Sequence, residues 1–238
     1  MLRGLVAAFL LLIASVGAHG APTRVLFVGN ELLESAGIPG RLGELAKSMG
    51  KDARVEAVLV PGRTLADHWA DPRVREQIAK GWDHVVLQQG PSAFPTERAQ
   101  LAADVRRFAV AVRAAGAKPA LLMAWPRSDR RSEFPAAILS ARAAAQGGVA
   151  VIPVAETWLR TLSADARAVL YAGPVNASPL GADLAVLTAW FVLFPAGPQE
   201  FDDAYVARLG RALDIEPSRI EGYVDAATRA IDEPLAVK

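Results

Sequence analysis

Arg24-Val25-Leu26-Phe27-Val28-Gly29-Asn30-Glu31 is a short apolar run closed by Gly-Asn and a carboxylate, and a helical pattern from Ile38 to Met49 follows it. An apolar run that stops at glycine and gives way to helical periodicity reads as a first strand turning into a first helix. In open α/β sheets ligands bind at that corner, outside the carboxyl end of the strand. Backbone N–H groups at the start of the new helix can hold an anion or oxyanion there. Glu31 therefore stands where a nucleophile would be placed.

The same alternation continues along the chain. Strand patterns are expected at Ala53 to Val60, Trp82 to Gln88, Pro119 to Trp125 and Val149 to Val154. Between them lie helical patterns from Asp67 to about Lys80, from Glu97 to about Ala115 with Thr96 as N-cap, and from Pro135 to Gln146. Further helices are expected at Glu156 to Leu162, Leu180 to Leu193, Phe201 to Leu213 and Pro217 to Ile231. The apolar centre of the third strand is continuous, the mark of a strand covered on both faces. Alternation at this spacing means βαβ units and a parallel sheet, and right-handed crossovers leave few topologies. The fold class is thus α/β, a flavodoxin-like three-layer sandwich with a five-stranded parallel sheet. One domain is expected over 21–238, with a C-terminal helical extension from about residue 199.

Residues 1–20 read as a cleaved signal peptide, with basic Arg3, an apolar core from Leu5 to Val16 and small residues from Ala18 to Ala21. The core is too short to span a bilayer, so no stable membrane span is expected after cleavage, and the localisation is exported, periplasmic or secreted. There is no cysteine, which removes disulfides, a lipoprotein anchor and a thiol nucleophile. Net charge is +1 with acids and bases interspersed, and no basic stripe calls for nucleic acid. Two histidines, His68 and His84, remain after the signal; they are far apart in sequence, so neither a metal nor any other cofactor is expected.

Several blocks resemble the secreted-esterase branch of the SGNH/GDSL hydrolases. Val28-Gly29-Asn30-Glu31-Leu32-Leu33 followed by Ile38-Pro39-Gly40-Arg41-Leu42 is similar to that family's first block, with glutamate in place of the serine. Pro61-Gly62-Arg63-Thr64-Leu65 with Asp67-His68-Trp69 resembles the second, where a glycine N–H helps form the oxyanion hole. Trp82-Asp83-His84-Val85-Val86-Leu87-Gln88-Gln89-Gly90-Pro91-Ser92 resembles the third, where an amide side chain completes the hole. The resemblance assigns that role to Gln88 ahead of Gln89. Ser178-Pro179-Leu180-Gly181 is similar to the last block, in which an aspartate and a histidine precede this motif; those places fall on Gly173 and Asn176.

All three triad side chains are therefore replaced, by Glu31, Gly173 and Asn176. A serine hydroxyl needs a base, and the base needs an orienting carboxylate. Glycine has no side chain and asparagine is no base near neutral pH. Proton transfer worth about 10² to 10⁴ in rate is thereby lost. A carboxylate at the serine place is also expected to repel a developing oxyanion or to occupy its donors. His68, at a helix start, and His84, at a strand start, read as packing or satisfied histidines, and Ser92 and Ser178 as turn serines. Glu156 is expected to complement a helix N-terminus and Asp183 to lie on a helix surface; either could serve as a second carboxylate beside Glu31.

The leading reading is an exported SGNH hydrolase-like pseudoenzyme that binds a small acylated or sugar-like ligand in a cleft lined by Glu31, Gly62 and Gln88. The alternatives are an active ester hydrolase with a non-standard constellation around Glu31, and an interaction protein with a collapsed cleft.

Overall fold

A computed structural model of the chain describes residues 21–197 and 200–236. The expected signal segment lies outside the described residues. The sheet has five parallel strands in the order β2-β1-β3-β4-β5: β1 Thr23–Gly29, β2 Ala53–Leu59, β3 His84–Leu87, β4 Lys118–Leu122 and β5 Ala150–Ile152. Because β1 is flanked by β2 and β3, the chain reverses its direction of growth there, and the carboxyl ends of β1 and β3 open a crevice. Val25 to Val28 and Val85 to Leu87 are fully buried, as strands covered on both faces require.

The helices follow the expected periodicity, with three local differences. The segment before the second helical pattern forms its own short helix, α1 Glu31–Ser35, capped by Asn30 Oδ1 accepting from the Leu32 N–H, and α2 Ile38–Ser48 follows. The helix expected from Asp67 is two helices, α3 Leu65–Ala70 and α4 Pro72–Ile78. Pro72 pushes Asp71 into an extended backbone, and Asp71 caps the second piece. Thr96 is not the N-cap of α5 Pro95–Ala114; Phe94 is, and the Glu97 side chain accepts from its N–H. Proline at the first helical position moves the boundary two residues back. A 3₁₀ segment, Ser128–Glu133, precedes α6 Phe134–Ala144. Then come α7 Val154–Ala164, α8 Pro179–Leu193, α9 Asp203–Ala212 and α10 Pro217–Asp232.

The Ser-Pro-Leu-Gly motif is a packing device. Ser178 caps α8 by accepting from the Gly181 N–H at 3.0 Å. A Cβ on Gly181 would lie 2.3 Å from the Leu170 carbonyl oxygen and 2.7 Å from the Trp158 ring, so only glycine fits. Trp158 stacks on Trp125 with centroids 4.4 Å apart.

Asp183 differs from its expected helix-surface setting, and Glu156 keeps its expected place at a helix N-terminus but is buried there. Asp183 is buried on α8 and paired with Arg41 of α2. Glu156 is fully buried in the first turn of α7, where Arg142 donates to it at 2.6 Å and Arg160 stands 3.7 Å away. The Leu235 N–H also donates to Glu156, and the two arginines cap the Ala230 and Glu233 carbonyls beyond it. The end of the chain is thus clamped onto α6 and α7, with α10 packed against α7, α8 and α9. No described helix is long and apolar enough to cross a membrane.

Candidate functional site

At the carboxyl ends of β1 and β3 lies an open cleft of about 530 Å³. Its floor is Asn30, Glu31, Gly62 and Gln89; its walls come from the Gly90 to Phe94 loop, the start of α5 and the 3₁₀ segment.

Asn30 ties the first corner together. Its side chain caps α1 and donates from Nδ2 to the Arg63 carbonyl at 3.3 Å. The turn that carries Gly62 is thereby held against the start of α1. Gly62 has φ +72°, a left-handed backbone that glycine adopts without strain. Its N–H points at Glu31 and donates to Oε2 at 2.7 Å. The structure therefore brings together two of the three residues expected to line the hole, and joins them by a hydrogen bond.

Gln88 is not on the cleft. It is fully buried beneath the corner, and its Oε1 accepts from the Asn30 N–H at 3.0 Å. Gly29 makes the room: a Cβ there would come within 2.5 Å of that oxygen. Gln89 takes the cleft position instead, because successive side chains leaving a strand point to opposite sides. Its Oε1 accepts from the Leu65 N–H at 2.9 Å and its Nε2 donates to Ser92 Oγ at 3.1 Å.

Ser92 also lines the cleft, with φ +49°, a strained value for a non-glycine residue. Its carbonyl accepts from Ser140 Oγ of α6 at 2.8 Å, which pins the loop. Among the described residues no histidine lines the cleft. His68 is fully buried and its Nε2 meets the Gly29 carbonyl at 2.8 Å, so the ring donates from Nε2. Burial pushes its pKa below the ordinary histidine value, and the ring is neutral. His84 lies at the opposite end of β3, and burial, with Lys118 beside it, lowers its pKa too.

Gly173 and Asn176 sit in a loop closed by the Tyr171–Ala177 bridge and tethered by Trp125 Nε1 donating to the Val175 carbonyl. Gly173 is half-buried and Asn176 is exposed; neither contributes to the cleft lining. Glu156 and Asp183 are away from it as well, engaged in the ion pairs described above.

Sequence reasoning missed Phe94, Glu97, Gln100, Arg130 and Glu133, which all line the cleft. The signal that could have found them is topological. Segments after the third and fourth strands leave at the carboxyl end of the sheet, and both are rich in polar or aromatic residues there. Among the described residues there is no group of three His, Cys, Asp or Glu side chains that could hold a metal ion.

A protein assigned as an SGNH hydrolase from Slackia heliotrinireducens shares 28% identity with this chain, with a TM-score of 0.61 over 72% of this chain and 99% of the other. The fold is that of the SGNH/GDSL hydrolases. An acetyl xylan esterase, AlAXEase, matches at TM-score 0.59 and 14% identity over 70% of this chain and 98% of its own. A DUF4886 family protein from Bacteroides uniformis matches at TM-score 0.66 and 14% identity, covering 91% of this chain and 97% of its own. Neither a protein-family model nor a curated protein matches the sequence.

Proposed function

We propose that this chain is a catalytically silent SGNH-fold protein, exported to the periplasm or secreted, that keeps the hydrolase cleft as a binding site for a small sugar-like or acylated ligand. The observation that carries the reading is the 2.7 Å hydrogen bond from the Gly62 N–H to Glu31. A donor that would stabilise a developing oxyanion is taken by a carboxylate of the same chain, and that carboxylate occupies the nucleophile's place. The Gly173 and Asn176 replacements remove orienter and base, and among the described residues no imidazole lines the cleft to substitute for them. A cleft of about 530 Å³ is of the size that holds small ligands, which favours binding over the collapsed-cleft alternative.

One observation favours a second reading, an active hydrolase that works through carboxylates. Glu97 and Glu133 line the same cleft as Glu31. Glu133 is paired with Arg130 at 3.3 Å and Glu97 accepts the Phe94 N–H at 3.3 Å. Both carboxylates are thus already engaged within the protein, so the silent reading stands first.

The deciding measurement is hydrolysis of a short-chain nitrophenyl ester by the purified protein and by a folded Glu31→Ala variant. Background rates in both are expected. A rate above background that falls in the variant would make Glu31 catalytic and overturn the proposal. Glu31→Ser alone is expected to stay silent. The triple variant with Gly173→Asp and Asn176→His tests whether the loop still carries its side chains into reach of the cleft.

A further inference from the structure

The two edges of the sheet are unequal. The β5 edge is 3 residues long, whereas the β2 edge runs 7 residues, Ala53 to Leu59, without proline and in unbroken register with β1. The Asp52 carbonyl accepts from the Thr23 N–H at 3.0 Å and the Val60 N–H donates to the Gly29 carbonyl at 3.1 Å. By the alternation of a parallel ladder, Arg54, Glu56 and Val58 bond to β1, and the peptide groups of Ala53, Val55, Ala57 and Leu59 point away from the sheet. Among the described residues none of these outward groups has a hydrogen-bond partner, and none of the four residues is buried. Beside the edge, α2 presents the small residues Pro39, Gly40 and Gly43, which leave an open groove of about 470 Å³ along Ala53 and Val55.

An open edge of this length is a template for another strand, and proteins guard such edges with charge. Here the guards complement themselves. Arg54 and Glu56 share one face of β2, their side chains 60% and 35% exposed, and Arg54 Nε donates to Glu56 Oε1 at 2.7 Å. They carry opposite signs two residues apart. In an antiparallel pairing of two copies about a two-fold axis through Val55, Val55 faces Val55, Ala53 faces Ala57, and Arg54 of each copy faces Glu56 of the other. The outward peptide groups of Ala53, Val55 and Ala57 then bond across the axis, and the charges meet in the closely spaced pairs where side chains interact most. An axis at Glu56 would set that carboxylate against itself, and an axis at Ala57 would set both charges against Val58 and Val60.

We propose that β2 is a homodimerisation edge. A second copy of this chain adds its own β2 antiparallel, with Val55 on the axis, and the two five-stranded sheets become one. The strands of the two copies run in opposite directions, so their clefts open at opposite ends of the joined sheet. Dimerisation through this edge does not depend on what the cleft binds.

Sedimentation velocity of the purified protein over about 1 μM to 1 mM tests it. A shift from monomer to dimer with rising concentration is expected. Glu56→Arg, which sets Arg54 against a like charge, should weaken the dimer about tenfold or more, and adding Arg54→Glu should restore it by reversing the pair. Circular dichroism checks the fold of both variants. Hydrogen exchange on the unmodified protein carries the test if a variant unfolds: the Ala53, Val55 and Ala57 amides should exchange freely at the low end of the concentration range and gain protection at the high end. A monomer at every concentration overturns the proposal, whether or not the edge captures a foreign strand. So does a dimer that Glu56→Arg leaves intact, one that the double reversal fails to restore, or an edge whose amides exchange alike at both ends of the range.

Discussion

Glu31 and Glu156 occupy similar places: each lies in the first turn of a helix just past the carboxyl end of a sheet strand. Glu31 follows a central strand at the switch point, faces an open cleft and takes one backbone N–H. Glu156 follows the edge strand β5, is fully buried and gathers two arginines and the N–H of Leu235. The difference lies in what covers the helix start. At β5 the C-terminal helix and tail close over it, and the carboxylate becomes a clamp. At β1 and β3 the crevice stays open, and the same side chain lines it with one oxygen on the Gly62 N–H. A carboxylate's position in the topology does not by itself make it functional; the cover above it does.

The comparison breaks most readily at the clamp. Glu156→Ala should destabilise the protein by about 3–5 kcal/mol, because it strands two partly buried arginines and frees the tail. Urea unfolding measures it, and a loss below about 1 kcal/mol would mean the clamp is no stronger than a surface pair. Gly29→Ala should cost about 1–3 kcal/mol, since the new methyl meets Gln88 Oε1 at 2.5 Å and Leu33 at 2.8 Å. If stability were unchanged, the buried glutamine would not be fixing the corner.

A pH series sharpens the contrast between cleft and core. His68 and His84 both have folded pKa values lowered from the ordinary 6.5, so below that pH the unfolded chain binds protons the native chain does not. Their contribution to stability is complete above about pH 6.5 and is lost as pH falls below it. The melting temperature should therefore drop on acidification through that window. His68→Gln, which keeps an N–H for the Gly29 carbonyl, should flatten the drop. The smallest effect is expected at Glu31 itself. Glu31→Ala removes one hydrogen bond at a half-buried site and should change stability by about 1 kcal/mol or less. A loss as large as that of Glu156→Ala would make Glu31 structural and end the contrast.

Much of this architecture was legible from residue patterns. The strand and helix order could be read because apolar runs and helical periodicity repeat along the chain. The boundary errors at Asp71 and Pro95 come from proline, whose effect on the preceding residue is local and was available in the sequence. The five-residue α1 was not readable, being too short to show a period. The exchange of Gln88 for Gln89 turned on which neighbour points into the crevice, and a run of two glutamines carries no such information. Gln100, Arg130 and Glu133 belong to the cleft only because α5 and the 3₁₀ segment fold back over the same corner.

The parallel α/β order and the carboxylate at the Gly29-Asn30-Glu31 corner were legible along the chain, because they rest on local pattern and residue chemistry. Only the tertiary structure decided that Glu31 engages the Gly62 N–H and that Glu156 is sealed beneath the C-terminal tail. Partners 31 and 79 residues apart in the chain meet only when the sheet and its covering helices are assembled, and burial is a property of that assembly.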